Sequence, residues 1–430
     1  AGTNGTEKIV LLTNATIEPT KKGKYEIVAG DLSTNAGGNS GWYFEPGGLA
    51  FWTGGATGDF MAPENWFPEG APAAHKTLRV VPEAGETCAL TLAEGTPASI
   101  RGLTLGGFGG TVTLTANSPI TVGDTVDVKD GATLVLNSAV EPNVVSNMFL
   151  VRRGAKVTHT GPRSDEKCKV NVRVLGNMTV ESGGSVDVEN VGYSSSCAPA
   201  GFLSGGGHTG MTKSQPSALG YGSIFTPTNH GSGASNPGSG TAILDVAGTL
   251  RVDGTITASR SSGNRNTTFG SAGSIWITTG TLAGGGTIKA DCSYANDSQS
   301  GGSAGRIALY QRTATNWDAF TGTISTKGQN LAAGGTIYRE LPGEAPRGGV
   351  ITVKSENTGY GVTFPLAADG DPLTAYAHAR VEVENGWLSI LNADWGENVG
   401  KVAVSNLNLK TASSKLNLYG STVEVSSPEF

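Results

Sequence analysis

Residues 240–260 read GTAILDVAGTLRVDGTITASR, and residues 273–292 repeat the same pattern as GSIWITTGTLAGGGTIKADC. Both contain short stretches such as ILDV, LRV and TITA, in which apolar and other residues alternate and which glycine or another small residue separates. Alternation with a period of two is typical of half-buried β-strands, whereas a helix needs apolar residues at steps of three and four. Each unit therefore predicts three short strands joined by tight turns.

The unit recurs at a nearly constant spacing along the chain. GRIALYQR at 305–312 and GTIYRE at 335–340 continue the pattern. Three strands in each repeat of about 32 residues predict an all-β fold, a solenoid of the parallel β-helix type. Spacings of 31, 32 and 30 residues separate one set of positions that we take as equivalent: Leu244, Ile275, Ile307 and Ile337.

The same alternation extends in both directions, so we expect residues 90–430 to form one parallel β-helix with a long loop insertion at 191–239. Its last strand has no evident capping element, which suggests a monomer or a fragment of a larger surface protein. Residues 1–89 are predicted to be an N-terminal cap over the first coil, with a carbohydrate-stacking surface as the alternative. That segment is rich in aromatic residues, among them Trp42, Trp52 and Trp66.

Composition excludes several classes of function. The chain has 430 residues, a net charge of −6 and only 15% charged residues, so nucleic acid is not the expected partner. No run of about 18 apolar residues is present, and we expect no membrane insertion. Four cysteines without CxxC spacing do not indicate a metal site, and no cofactor is expected; calcium is possible but not indicated.

If every second residue of these strands points inward, the residues between them form outward columns with one member per coil. One predicted column contains Asp245, Trp276, Ala308 and Tyr338, in which the two aromatic rings would form a flat platform for a sugar ring. The third strands predict a second column of Ser259, Asp291 and Lys327. The alternatives are ordinary surface stacking for the first column and an ion pair between Asp291 and Lys327 for the second.

Long polar loops follow the third strand of each repeat, so they must leave the solenoid at one corner and stack there. The loop at 191–239 has about 49 residues, and structureless loops longer than about 15 residues are usually functional or disordered. Most residues that could take part in catalysis or ligand binding are predicted to lie at this corner. They are His208, Lys213, Tyr221 and His230 in the long loop, and Arg260, Arg265, Asp291, Tyr294 and Asp297 in the next two loops.

The motifs GGGHTG (205–210), YGS (221–223) and NWFPEGAPAA (65–74), together with the repeats, resemble the glycine-rich right-handed β-helix proteins that bacteria secrete or display on their surface. The resemblance covers most of the chain. It implies a right-handed, pectin-lyase-like helix and an extracellular or cell-surface location. Similarity to the broader pectin-lyase-like group implies a polysaccharide or glycan as partner.

One hypothesis is a polysaccharide-degrading enzyme. Eliminative cleavage of a uronate needs a base, an acid and a cation for the sugar carboxylate. We assign His208 or His230 as base, Tyr221 as acid, and Lys213, Arg260 or Arg265 as the cation. Hydrolysis would need two carboxylates, for which Asp291 and Asp297 are the candidates.

The other hypothesis is a non-catalytic adhesin, passenger or carbohydrate-binding structural protein. In that case the glycines of GGGHTG permit close packing, and the histidine satisfies carbonyls of its own loop. The position of the histidines distinguishes the two: convergence of His208, Tyr221 and His230 on a groove favours the enzyme, and burial favours the structural role. The sequence favours the enzyme by a narrow margin.

Overall fold

The protein is an all-β molecule with large parallel sheets in the computed structural model. Two short 3-10 helices, Pro63–Asn65 and Leu373–Tyr376, are the helical elements of the described residues. These residues are 48–200, 207–210, 220–261, 269–292, 302–328, 333–354, 361–363, 371–391, 401–419 and 422–426, together with the backbone of five short strands before residue 48.

The first nine strands comprise those five and four that lead into the main sheets. They are β1 (Val10–Leu12), β2 (Thr16–Ile17), β3 (Ile27–Ala29), β4 (Thr34–Asn35), β5 (Trp42–Phe44), β6 (Leu49–Trp52), β7 (Thr57–Asp59), β8 (Trp66–Phe67) and β9 (Thr77–Val80).

The next thirteen strands are one strand, β10, followed by four sets of three. They are β10 (Thr87–Leu92), β11 (Ala98–Ile100), β12 (Gly102–Leu105), β13 (Thr111–Ala116), β14 (Ile120–Val122), β15 (Thr125–Val128), β16 (Ala132–Leu136), β17 (Asn143–Val145), β18 (Met148–Val151), β19 (Lys156–Thr158), β20 (Val170–Val174), β21 (Asn177–Val180) and β22 (Ser185–Asp187).

After the long loop the first two strands of each repeat are either merged into one long strand or reduced to a single short strand. These strands are β23 (Thr241–Val252), β24 (Thr255–Thr257), β25 (Ser274–Ala283), β26 (Thr287–Lys289), β27 (Arg306–Gln311), β28 (Thr323–Ser325) and β29 (Gly335–Glu340). The remaining strands are β30 (Val350–Lys354), β31 (Val362–Thr363), β32 (Arg380–Glu384), β33 (Trp387–Leu391), β34 (Lys401–Val404), β35 (Asn406–Leu409), β36 (Lys415–Tyr419) and β37 (Thr422–Val425).

Each strand from β10 to β27 pairs in parallel with the equivalent strand of the next repeat, which confirms the predicted all-β, parallel character. Leu250 pairs with Leu282 and Ile256 pairs with Ile288, each at the predicted repeat length of 32 residues. The repeat is shorter before the long loop than after it. Stacked Asn117 and Asn137 are 20 residues apart, whereas stacked Ser259 and Asp291 are 32 apart.

One predicted register is wrong by two residues. Leu244 pairs with Ile277 and not with Ile275, so the neighbour of Trp276 on β23 is Ile243 and not Asp245. The true spacing is 33 residues before the irregularity that follows Val246 and 32 residues beyond it, so the predicted spacing of 31 between Leu244 and Ile275 fits neither part of the pairing. A shift of two preserves which face each side chain occupies.

A column of glycines begins the main strand of each repeat after the long loop. At Gly273 a Cβ would lie 1.8 Å from the carbonyl oxygen of Gly240, and at Gly305 it would lie 2.0 Å from that of Gly273. Gly335 continues the column, with 2.1 Å to the carbonyl of Gly305. Real Cβ atoms do not approach so closely, so these positions require glycine for the backbones to stack.

The inward residues of the repeats form one apolar core. In β10 burial alternates strictly, with Cys88, Leu90 and Leu92 buried and the residues between them exposed. Equivalent positions of later repeats stack on these, and the resulting cluster extends from Ala50 to Ile337. Trp66, from the segment predicted as a cap, belongs to the same cluster and meets Trp52 edge to face.

A chain reversal interrupts the region for which one solenoid was predicted. β30 pairs with β29 in the antiparallel sense, and β32 and β35 then continue in parallel from β30. Ile307 and Ile337 belong to the first core, whereas Ala308 and Tyr338, on the opposite face of the same strands, belong to a second core with Ile351 and Val353. The shared sheet therefore has a different core on each face.

No helix in the described part of the chain is long and apolar enough to cross a membrane.

The glycine column makes a direct prediction. G273A should lower the free energy of unfolding by about 3 kcal/mol, since a methyl group forces two stacked backbones apart. Urea unfolding measures the change. G285A is the matched control, because the nearest atom to its Cβ would be Thr321 Oγ1 at 3.7 Å, and a change below about 0.5 kcal/mol is expected. Equal effects of the two substitutions would contradict the close-packing argument.

Candidate functional site

The three candidate catalytic residues converge, but they do so in the interior. His208 and His230 have no exposed surface, and Tyr221 is 2% exposed. The rings of His208 and Tyr221 are 4.7 Å apart, and Tyr221 Oη donates to the carbonyl of His230 at 2.7 Å. A polymer cannot contact these groups in this conformation, so the geometry required for general acid and base catalysis is not present.

Backbone contacts of the long loop create this cluster. Residues 220–239 run irregularly along the glycine corner, where Gly231 and Ser239 are joined by a backbone hydrogen bond of 2.8 Å. Arg306, also fully buried, donates through Nε to the carbonyl of Tyr221 at 3.1 Å. His208 donates from Nδ1 to the carbonyl of Ala272 at 2.8 Å. The candidate groups thus satisfy backbone carbonyls, although the carbonyl that His208 meets belongs to Ala272 and not, as the structural hypothesis predicted, to the histidine's own loop.

A fourth member, His159, was missed by the sequence analysis. Its ring is stacked on that of His230 at 5.1 Å. Its Nδ1 donates to the carbonyl of Thr160 at 3.0 Å, and its Nε2 accepts from the backbone N–H of Thr241 at 3.2 Å. A ring that donates from one nitrogen and accepts at the other is neutral. The spacing of the repeats could not have placed His159 beside His230, because His230 lies in the 49-residue loop, which does not follow the repeat.

Burial keeps these imidazoles neutral. Desolvation lowers the pKa of His159 to about 4, and desolvation with the nearby Arg306 charge lowers the pKa of His208 to about 3. The pKa of His230 is well below its ordinary value for the same reason, with a contribution from His159. Burial raises the pKa of Tyr221 well above 10. An imidazole that takes up no second proton at moderate pH and has no access to substrate cannot act as a base on a ligand in this conformation.

Glu166 fixes the loop to the preceding repeats. Its carboxylate accepts from Tyr193 Oη at 3.1 Å, from the backbone N–H of His230 at 3.1 Å and from Asn229 Nδ2 at 3.2 Å. Lys169 donates to the same carboxylate at 2.9 Å. The charge of Lys169, which is itself buried, is therefore neutralised by a neighbour three residues away.

The loop also seals the second core. Ile224 and Phe225 are buried in it, and the ring of Phe225 meets that of Tyr338 edge to face at 4.8 Å. Asp371, which is 3% exposed, accepts from Ser223 Oγ at 2.5 Å and from the backbone N–H of Ile224 at 2.7 Å. The described part of the loop thus joins the two cores.

The predicted substrate-binding residues have several fates. Tyr338 is fully buried, so the prediction that it faces outward to substrate is wrong: the second core covers that face. Arg260 is 3% exposed, donates to Asn190 Oδ1 and packs over Phe269, and burial lowers its pKa. Lys213, Arg265, Tyr294 and Asp297 lie outside the described residues.

Asp291 aligns with Ser259 and Lys327, as predicted. Its contact with Lys327 is through the backbone, whose N–H donates to Asp291 Oδ1 at 2.7 Å, and Ser325 Oγ donates to the same oxygen at 2.6 Å. Ser259 is 1% exposed, so the prediction that it points outward is wrong, and its Oγ accepts from the backbone N–H of Asp291. This column therefore stabilises the corner.

Trp276 is the candidate that lies at an open surface. It is half-buried, packs against the second core and lines a groove of about 370 Å³ on the outer face of the first repeats. Val140 and Pro142 form one side, and Thr228 of the long loop contributes to the lining. The groove is thus the place where the long loop, the outer sheet face and an aromatic side chain meet.

The floor of the groove carries charge that the sequence analysis did not single out. Asp245 Oδ2 lies 3.1 Å from Arg173 Nε, and Asp245 Oδ1 lies 2.6 Å from Arg312 Nη2. The stacking of Arg173 on Asp245 in adjacent strands could have been found from the register, since both follow an inward valine or leucine by one residue. Arg312 lies one residue beyond the strand and could not.

Among the described residues no three His, Cys, Asp or Glu side chains are grouped as a metal site would require. Comparison with protein-family models, with curated proteins and with solved structures gave no match.

The buried histidines predict that stability falls in mild acid. Below pH 6.5 the unfolded chain binds protons that folded His159 and His208 do not bind until about pH 4 and 3, so unfolding becomes more favourable as pH falls. Each such histidine contributes about 1.4 kcal/mol per pH unit in that window. Urea unfolding between pH 7 and 4.5 measures the slope. H208F removes one of the three buried histidines, His159, His208 and His230, and should reduce the slope by about one third. H75Q, which removes an exposed imidazole, serves as the control. A slope unaffected by H208F would contradict the assignment.

The joint between the cores can be tested separately. D371A should lower the free energy of unfolding by about 3 kcal/mol, because it leaves the half-buried Ser223 hydroxyl and the buried Ile224 N–H without this acceptor. Thermal unfolding detects the loss. D318A removes an exposed carboxylate and should change stability by less than about 0.5 kcal/mol. If D371A unfolds like the unmodified protein, the joint does not depend on this carboxylate.

Proposed function

We propose that the protein is a non-catalytic carbohydrate-binding protein that acts outside the cell. In this proposal the stacked repeats form a right-handed parallel β-helix, and the helix presents the Trp276 groove to a glycan. The parallel ladders and the repeating inward positions support the helix. The resemblance to glycine-rich surface proteins supports the location.

The observation that carries the proposal is the groove itself. A tryptophan on the outer face of a rigid sheet offers a flat apolar surface, and a sugar ring has an apolar face of matching size. Asn171, Thr228 and Thr278 line the same groove and provide hydrogen-bonding groups for sugar hydroxyls. This combination of one aromatic platform with a few polar groups suits binding of a saccharide.

Burial of the predicted base and acid supports binding over cleavage. His208, Tyr221 and His230 are the groups on which eliminative cleavage was predicted to depend, and each is enclosed by backbone and aromatic neighbours. The long loop, which favoured the enzyme hypothesis by its length, has in its described part a sufficient structural role in joining two cores.

The test is binding of a panel of neutral, carboxylated and sulfated polysaccharides by affinity electrophoresis and calorimetry. W276A should weaken binding of any polymer retained by the unmodified protein by at least about tenfold, the loss expected for a stacking aromatic at a binding centre. F67A removes a 57% exposed aromatic outside the groove and should have no effect.

The same panel examines the enzyme alternative through the ultraviolet absorbance of unsaturated uronates and through new reducing ends. Product formation that disappears in H208A or Y221F variants of unchanged stability would overturn the non-catalytic proposal. Binding that is unaffected by W276A would show that the groove is not the site.

A further inference from the structure

We propose that the groove selects a polysaccharide that carries carboxylate groups, and that Asp245 occupies the place of a ligand carboxylate in the unbound protein. The inference rests on the proposed function, because it specifies the substrate class of the same groove. It arises from the two arginines that share one aspartate on the groove floor.

The charges lining the groove do not balance. Arg173, Asp245 and Arg312 are the ionisable side chains among the described lining residues, so two guanidinium groups face one carboxylate. The whole chain has a net charge of −6, so this local excess of positive charge is opposite to the overall balance. Low ionic strength would strengthen attraction of an anion to such a site.

The two arginines have the exposure that recognition requires. The side chain of Arg173 is 54% exposed and that of Arg312 is 44% exposed, whereas Asp245 is 30% exposed beneath them. Each guanidinium contacts one oxygen of Asp245 and retains other N–H donors. A guanidinium matches a carboxylate in a planar two-point contact, which a neutral hydroxyl cannot reproduce.

Trp276 and these charges lie at adjacent positions of the same face. Trp276 and Thr278 are on one strand, and Thr278 pairs with Asp245 on the next. A pyranose stacked on Trp276 would therefore have its ring substituents directed toward the arginines within one or two residues of the strand. A uronic acid residue meets both features, with an apolar ring face and a carboxylate at its edge.

Release of one arginine from Asp245 has a low cost. Exposed ion pairs contribute little to stability, so a ligand carboxylate can take over one guanidinium while the other stays on Asp245. Competition with Asp245 also follows from this arrangement: the aspartate lowers the affinity for an acidic ligand because it already occupies the donors that the ligand needs.

The experiment compares polygalacturonate, a sulfated galactan and a neutral galactan by calorimetry at low and high salt. We expect polygalacturonate to bind best, and R173Q and R312Q each to weaken it by about tenfold. D245N should strengthen it, since the competing charge is removed, whereas loss of a merely structural contact would not raise affinity. R251Q is the matched control, because Arg251 is 56% exposed and pairs with Asp253 at 2.5 Å outside the groove. Thermal unfolding of each variant confirms that it is folded.

The outcomes separate the two proposals. If no polymer of the larger panel binds, the proposed function fails. If the neutral galactan binds as well as polygalacturonate and depends on Trp276 but not on Arg173 or Arg312, the proposed function stands and acidic selectivity is overturned. Preference for the sulfated galactan with the same arginine dependence would overturn carboxylate selectivity. Weaker binding in D245N would overturn the competition argument.

Discussion

The close approach of stacked backbones at the glycine corner is the constraint on which the rest of the molecule depends. The carbonyl of each repeat occupies the space that a side chain of the next would need, between 1.8 and 2.1 Å from the missing Cβ along Gly273, Gly305 and Gly335. Parallel pairing in register follows, because the strands begin at this corner. The same absence of side chains lets the ring of His159 approach Gly240, where a Cβ would lie 2.0 Å from Nε2. The high glycine content therefore reflects a packing requirement and not flexibility.

The two faces of one sheet explain why the long loop resembles an active site in sequence. From Ala308 onward the outer face of the sheet packs against the second core. The end of that core nearest the earlier repeats must be covered by apolar side chains. Ile224 and Phe225 provide it, while the polar residues around them pair with backbone groups. Histidine, tyrosine and arginine are gathered there because the joint contains many carbonyls that need donors. The same residue types in an open cleft would indicate catalysis, and burial is what separates the two cases.

Much of the fold could be predicted from alternation and spacing, since both reflect local rules that each repeat obeys. The strand character, the parallel pairing and the stacking of Ile256, Ile288 and Ile324 follow from them. The reversal after β29 could not, because VITVK at 350–354 has the same alternation as a strand that continues the stack. Without the reversal nothing in the sequence indicates that Tyr338 is covered, or that the loop has a second core to contact. The prediction of an open site failed for that reason. The outward face of Trp276 could still be predicted, because a register error of two residues does not change the face that a side chain occupies.

The contact between Ser223 and Asp371 also determines an order of assembly. These residues are 148 positions apart in the chain, whereas neighbouring repeats are joined over 20 to 36 residues, or over 72 where the long loop lies between them. Repeats before the loop can stack one after another, because each needs only its predecessor. Ile224 and Phe225 lie in the middle of the chain but seal a core built largely from residues after 300, so these two side chains lack those partners until the C-terminal strands have reversed onto the sheet. We therefore expect this segment to close late in folding, and the rate of its closure to set how long its apolar side chains can associate with other molecules.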